Sequence, residues 1–555
     1  MAAPAAAPAV PSHIPPALSP SLTLKPHQHT AVAFAWRALF EEDDAFAILA
    51  DEQGTGKTIV ALQLMIRILA ASRPGAVLLL SGRVIQDEVW RKHLHAYAPS
   101  VHVHAVSDDK PGERVEKLRR AVRRRHQVVL CTTHMARDMH ADGAWAAATA
   151  AAAAVIVDEC QCMNNAASQM WRTVAAMRAT PTLLMSGTPF HNQPVPQLRA
   201  LCAAAAAPGT ALAAADIPLS EFLARWMERH GRVLLQRTTA DLAVADASMR
   251  LPPLRKRDHA CDFSEKQARE FHAGVRRMWR AFRAMQAARA RAPDAAQASV
   301  TRFWAALTTL QVITSHPLIS DVSAGEMDAY AAARQASKHM SIKLHLAVKL
   351  VCRQCVRDNK KVVVASHFVQ FLEILACRLE ALGISFVSFT GAVRGPVRSA
   401  NLERWKDPAS GVRVLLLSRA GVAGISLPAD YALDVDSAAE LNPCVAAQLH
   451  KRFHRYGIDK HTTLVRLVIP GTIDGIQAYR DGKEWESGAL TGQKKRKRGA
   501  DAAPPAAQPL GRRPRLAYLV RDLWRRTAWH RRFEEEARAE KLARAQRRPA
   551  ARAGV

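Results

Sequence analysis

Gly54-Thr55-Gly56-Lys57-Thr58 is a set of residues that could hold a polyphosphate. The two glycines let the backbone approach closely, so that amide N–H groups point at a β-phosphate from the start of the following helix. Lys57 would place its ammonium on the β- and γ-phosphates, and the Thr58 hydroxyl would bind magnesium. Loops of this kind usually carry one more glycine five residues before Gly56, where this chain has Asp51. Further on, VIVDECQ ends an apolar run on Asp158-Glu159. A buried strand there would deliver Asp158 to the metal and Glu159 to an attacking water. An Asp-Glu pair alone is common surface chemistry, and its place after a strand and downstream of Gly-Lys-Thr makes it a nucleotide-site candidate. In QLHKRFHRYG, Gln448, Arg452 and Arg455 fall at i, i+4 and i+7, on one helical face. Cations so placed could reach a γ-phosphate from a neighbouring domain. The plain alternative is a basic helix facing solvent or DNA.

The elements needed to position these groups can be read from the apolar runs. AFAILA leads into the glycine-rich loop, and AVLLLS (76–81), QVVLCTT (127–133), AVIVDE (154–159) and PTLLMSGTP (181–189) read as buried strands between helices. That pattern predicts a parallel sheet with its sites at the strands' carboxyl ends. A second series follows in KVVVAS (361–366), SFVSFT (385–390), RVLLLS (413–418) and TTLVRLVIPG (462–471). Between the two series, residues 246–340 lack strand rhythm and read as helical, with basic and apolar residues at helix spacing. The expected fold is α/β: two parallel-sheet lobes in tandem, with a helical insertion between them and a basic C-terminal tail. The expected boundaries are a Pro/Ala-rich disordered tail at 1–21, an ATP-binding lobe at 22–245, the helical region at 246–340, a second lobe at 341–485, and a basic linker with a helical end at 486–555.

Composition narrows the partners. The chain has 555 residues and a formal net charge of +29, which points to a polyanion, most simply nucleic acid. Residues 494–555 hold 19 Lys/Arg against 6 Asp/Glu, or +13, so +16 is spread over the rest. No apolar run reaches the length of a membrane span, and no membrane partner is expected. The nine cysteines are scattered and odd in number, as suits reduced thiols inside a cell. Cys352 and Cys355 form a lone CxxC with no second pair at zinc spacing, and read as two thiols on one helical face. KKRKR (494–498) and GRRPR (511–515) read as a nuclear import signal or as an electrostatic clamp on DNA.

In order and content these motifs resemble the Swi/Snf-type DNA translocase ATPases of helicase superfamily 2, over about residues 22–485. That family opens its loop with Asp-Glu, so LADEQGTGKT, with Asp51, Glu52, Gln53 and Thr55 beside the glycines, fits its habit, and the absent first glycine is not damage. By resemblance, Gln28 in LKPHQHTAVAFAW would read the adenine. Ser81, Thr132 and Thr133 would contact a DNA strand, and Ser186, Thr188 and Asn192 in LLMSGTPFHN would couple hydrolysis to movement. Ser418, Arg419, Gly421 and Gly424 in LLLSRAGVAGISLPAD would form a second-lobe DNA and nucleotide motif. Gln448, Arg452 and Arg455 would close the site. The chain departs from the pattern at Gln161, where the acidic motif usually ends in His. It departs also at Leu441, where Trp usually precedes Asn442-Pro443, and at Ile458, where Gln usually follows Gly457.

The resemblance implies that the two α/β lobes are RecA-like and form an ATP- and magnesium-dependent motor, which moves along double-stranded DNA through sequence-nonspecific backbone contacts and displaces or remodels DNA-bound proteins. The transcription machinery is a further implied partner. It implies a nuclear or otherwise DNA-associated place in the cell. The Ala/Arg-rich, Lys-poor composition suggests a GC-rich genome, such as that of a large DNA virus or a microbe, and a viral source would add the host nucleus or the virion. Two rival readings stay open: a strand-separating DNA or RNA helicase acting in transcription, and a catalytically inactive DNA-binding scaffold.

Overall fold

The apolar runs form the strands expected of them. In the computed structural model, which describes residues 22–474 apart from 72, 164, 178–179, 190–193, 208–218, 253, 293–295, 336–340, 394, 419–424, 426, 437–442 and 454–460, the chain divides into two units. Unit 1 comprises residues 1–252 with 422–427 and 447–459, and unit 2 holds the remainder.

Unit 1 begins with α1 (Pro26–Phe40), β1 (Phe46–Leu49) and α2 (Lys57–Ala70), followed by β2 (Val77–Ser81), β3 (His102–Ala105), β4 (Gln127–Thr132), β5 (Ala154–Asp158), β6 (Thr182–Met185) and β7 (Leu234–Leu235). The strands make one sheet in the order β3-β4-β2-β5-β6-β1-β7, parallel at every pairing. Its central strands are buried along their whole length, which is why they read as continuous apolar runs and not as alternations. Successive residues still part to opposite faces. Phe46, Ile48, Leu78 and Leu80 enter one hydrophobic core, while Ala47, Leu49, Val77 and Leu79 enter another on the other side.

Unit 2 adds β8 (Arg255–Ala260), α3 (Glu265–Arg291), α4 (Gln297–Ser315), α5 (Ile342–Val351), β9 (Val362–Ala365), β10 (Phe386–Phe389), β11 (Val414–Leu417), β12 (Tyr431–Asp434) and β13 (Thr463–Val468). Its sheet runs β10-β11-β9-β12-β13-β8, again parallel throughout. The helix α6 (Pro443–Phe453) lies between β12 and β13 in the chain. Helices α3 and α4 pack through their own apolar cluster, with Phe271, Val275, Met278 and Phe282 against Phe303, Leu307 and Leu310. Gly274 permits the close approach, since a Cβ there would stand 2.8 Å from Leu310 Cδ2.

β8 corrects the expectation that residues 246–340 are helical throughout. Its sequence, RKRDHA, has no apolar alternation because it is an edge strand with most positions exposed. Its partner supplies the order: six residues register with β13, and Arg466 of β13 holds the Asp258 carboxylate at 2.8 and 3.1 Å. β3 and β12 were also silent in the sequence, since HVHA and YALD hold no unbroken run of large apolar residues. Cys352 and Cys355 stand in one helical turn, where Cys355 Sγ donates to Val351 O at 2.7 Å. None of the described helices is long and apolar enough to cross a membrane.

Candidate nucleotide site

The candidate residues of unit 1 gather along one edge of its sheet. Leu49, Met185 and Asp158 lie in one row of the register, so the segments leaving β1, β6 and β5 start at the same level. Ser81 and Thr132, which end β2 and β4, stand opposite one another at that same carboxyl edge.

In the loop after β1, Gly54 and Gly56 have φ of 91° and 90°, left-handed values that favour glycine. Gly56 caps α2 and accepts from the N–H groups of Ile59 and Val60 at 2.9 and 3.1 Å. A Cβ at Gly56 would stand 2.2 Å from Gln28 Nε2. Gln28 is held at the head of α1, its Oε1 accepting from Lys25 N at 2.9 Å and its Nε2 donating to Thr55 O at 3.4 Å. His27 also meets Thr55 O, at 2.9 Å, and Thr55 Oγ1 donates to Glu52 O at 2.9 Å. The Lys57 ammonium folds back over its own loop, donating to the carbonyls of Asp51 at 2.6 Å and Glu52 at 3.1 Å. Thr58 is the second residue of α2 and half-buried.

Asp51, where the general loop pattern has glycine, is an anchor. Its buried carboxylate is clasped by Arg237 Nε and Nη2 at 3.1 and 2.6 Å, and Arg237 Nη2 also donates to His27 O at 3.0 Å. Glu52 accepts from Thr239 N and Oγ1 at 2.6 and 2.5 Å and pairs with Lys451. The loop is therefore tied to the segment after β7, and Arg237, Thr239 and Lys451 are contacts that spacing in the sequence did not reveal. Gln53 is 6% exposed with both side-chain amide atoms unpartnered, and it packs beneath Gly187, where a Cβ would stand 2.2 Å from its Cγ.

At the end of β5, Asp158 is fixed from two sides. Trp90 Nε1 donates to Oδ2 at 3.0 Å, and Glu159 N donates to Oδ1 at 3.0 Å. Trp90 ends a π-helical turn, Gln86–Trp90, a feature that periodicity does not show. Burial pushes the Asp158 carboxyl far above the usual carboxylate range, Glu159 adds to the rise, and Trp90 and Lys57 oppose it. Glu159 holds a left-handed φ of 57°. From it a line of hydrogen bonds runs outward. Gln161 Nε2 donates to Glu159 Oε2 at 2.8 Å, Ser186 Oγ to Gln161 Oε1 at 2.6 Å, Thr188 N to Ser186 Oγ at 3.0 Å, and Gln448 Nε2 to Thr188 Oγ1 at 2.7 Å. Arg452, 1% exposed, places Nη2 4.0 Å from Glu159 Oε1.

Not every candidate joins this group. Thr132 Oγ1 accepts from Met135 N at 3.2 Å and so caps a helix, of which Thr133 is the first residue. The buried Ser81 Oγ has no partner. Ser418 belongs to unit 2, where its N–H donates to Phe389 O at 3.2 Å. Asn192, Arg419, Gly421, Gly424, Leu441, Arg455 and Ile458 lie outside the described residues, as do the tails before 22 and after 474.

The residues fit a magnesium nucleotide. The loop carries two left-handed glycines at a helix N-terminus and a buried amide, that of Gln53, lacking a partner. Thr58 and Asp158 supply the hard oxygen donors that magnesium takes in small number alongside phosphates.

Residues 27–204 match the family described as the SNF2-related domain. Chromodomain-helicase-DNA-binding protein 1-like of Danio rerio is 26% identical over 470 residues, covering 82% of this chain and 42% of that protein. The probable global transactivator of Orgyia pseudotsugata multicapsid polyhedrosis virus is 24% identical over 344 residues, covering 60% and 64%. The solved Sulfolobus solfataricus SWI2/SNF2 ATPase core in complex with dsDNA is 16% identical, covering 83% of this chain and 91% of that one, at a TM-score of 0.35. Residues 27–204 are thus similar to an SNF2-related domain, and a longer stretch of the chain is similar to Snf2-type proteins of helicase superfamily 2. The chain spans 24% to 46% of the length of its chromodomain-helicase and CHD3-type relatives.

Proposed function

We propose that the chain is a DNA-stimulated ATPase that uses ATP and magnesium to move along double-stranded DNA and to displace or remodel proteins bound to it. The observation that carries this reading is the strand order β5-β6-β1. It sets the Asp158-Glu159 pair and the Gly54–Thr58 loop two strands apart, with Ser186 leaving the strand between them.

In this reading Lys57 leaves the carbonyls of Asp51 and Glu52 for the β- and γ-phosphates, while the amides of residues 54–58 cradle the β-phosphate. Thr58 and Asp158 hold magnesium, which when bound neutralises charge developing on the phosphate oxygens. Glu159 orients the attacking water and takes its proton. Gln161 keeps the Glu159 carboxylate aimed, and Arg452 and Arg455 offer positive charge to the transferring phosphate. The hydrogen-bond line from Glu159 through Gln161 and Ser186 to Thr188 offers a way for the state of the γ-phosphate to be felt along the DNA-facing segments. The relatives' printed names, which speak of chromatin remodelling, DNA binding and transactivation, support a nuclear or DNA-associated setting.

The test is hydrolysis measured without DNA, with single strands and with duplex, using Lys57→Ala as control. Stimulation by duplex, and its loss in the variant, is expected. Turnover absent under every condition, or undiminished in Lys57→Ala, would overturn the reading. Displacement of a third strand from a triplex without parting of the duplex separates a translocase from a strand-separating helicase.

A further inference from the structure

We infer that the exposed face of α3 is a docking surface for the phosphate backbone of duplex DNA, separate from the nucleotide site. It rests on the proposed function for the identity of the polyanion, and on charge and geometry for the rest. At 3.6 residues per turn, Arg269, Arg276, Arg280, Arg283 and Arg291 fall within about 80° of one another around the helix. The buried residues Phe271, Gly274, Val275, Met278, Phe282 and Met285 occupy the opposite side, against α4. All five arginines are exposed. The stripe runs 22 residues, about 33 Å at 1.5 Å of rise per residue.

Most runs of charge on a helix are solvated faces neutralised by their neighbours. The helix Arg114–Arg123 of unit 1 is one: Lys117 pairs with Glu113 and Asp109, and Arg119 and Arg120 pair with Glu116. α3 differs. Between residues 271 and 293 the chain has six arginines, no lysine and no carboxylate. Only Arg269, at the head of the stripe, has an ion-pair partner, Glu265, and among the described residues Arg276, Arg280, Arg283 and Arg291 form none. Keeping that many like charges in line without counter-charge is unfavourable unless an anion accepts them. The guanidinium fork matches a phosphate's oxygens in geometry. Duplex DNA presents dense, unbroken rows of such anions winding about a rigid rod, about one charge per 1.7 Å of axis, so a stripe of this length meets more phosphates there than it would meet carboxylates on a folded acidic patch.

The experiment compares the full chain with the triple variant Arg276→Gln/Arg280→Gln/Arg283→Gln, whose replacements are good helix formers. Fluorescence anisotropy with a labelled duplex of mixed sequence would give affinity across a range of salt. If all three arginines meet phosphates, the slope of log K against log salt should fall by about 2.7. The matching Arg→Lys triple should keep the original slope, which a merely structural role would not require. The same difference is expected in a Lys57→Ala background, so the stripe is tested even if the ATPase reading fails. Equal slope and affinity in the Gln triple would overturn the proposal. So would an unchanged duplex slope together with lost binding of polyglutamate, which would assign the stripe to an acidic protein.

Discussion

Gln161 stands where the resembling family usually has His, and the structure shows how an amide fills the place. One end of it donates to Glu159 and the other accepts from Ser186, so it bridges two groups that an alanine would no longer join. Gln161→Ala should lower kcat by roughly 10- to 100-fold, in the range general for an outer hydrogen-bond partner that orients a site group, with KM for ATP little changed. Gln161→His, which can present a donor and an acceptor, should retain more activity, and steady-state hydrolysis measures both. Asp158 gives a pH signature. Burial, with Glu159 second, raises its pKa, so the carboxyl is protonated through the mildly acid range, and a metal must displace that proton. The magnesium concentration for half-maximal turnover should therefore fall as pH rises toward neutrality and level off above it. Trp90→Phe removes a donor that favours the ionised form, and should move that levelling-off to higher pH. At Gly56, both the φ of 90° and the 2.2 Å approach to Gln28 oppose any side chain. Gly56→Ala should weaken nucleotide binding, as read by titration with a fluorescent ATP analogue.

Among the elements, those of unit 2 are joined by a buried ionic knot. Lys343 of α5 pairs with Asp474 beyond β13 at 2.6 Å, both at 0% exposure, and donates to Val435 O after β12 at 2.7 Å. Asp436 accepts from Ser366 Oγ and His367 N, each at 2.6 Å, and from Ser315 Oγ of α4 at 3.3 Å. These bonds fasten the helices to the carboxyl ends of β9, β12 and β13. Lys343→Ala would strand a buried carboxylate, and should cost about 3–5 kcal/mol in urea unfolding. The volume-matched Lys343→Met/Asp474→Leu should cost far less, because it removes both charges together. The same logic explains β8, whose Asp258 is held by Arg466 on the neighbouring strand.

For the molecule as a whole, charge is the governing quantity. With a net +29, of which +16 lies outside residues 494–555, attraction to duplex should come chiefly from phosphate neutralisation and carry little sequence preference. Duplexes of equal length and different sequence should stimulate hydrolysis alike. Stimulation at limiting DNA should collapse between roughly 50 and 200 mM salt, and a salt series of initial rates would show it. A stimulation that survived high salt, or that followed sequence, would contradict this.

The sequence by itself determined the two parallel sheets and the glycine-rich loop after β1. Strands buried on both faces are written as unbroken apolar runs, and glycines at 54 and 56 are needed wherever the backbone must turn left-handed. It also marked Asp158 and Glu159, because an acid pair closing such a run can stand only at a strand's carboxyl end. Only the tertiary structure decided that Trp90 and Arg237 hold the two aspartates, that Gln161 joins Glu159 to Ser186, and that RKRDHA is a strand. Each of these depends on partners between 25 and 208 positions away. Contacts at such separation leave no periodicity in the chain: they exist once the sheet has brought its loops to a common edge.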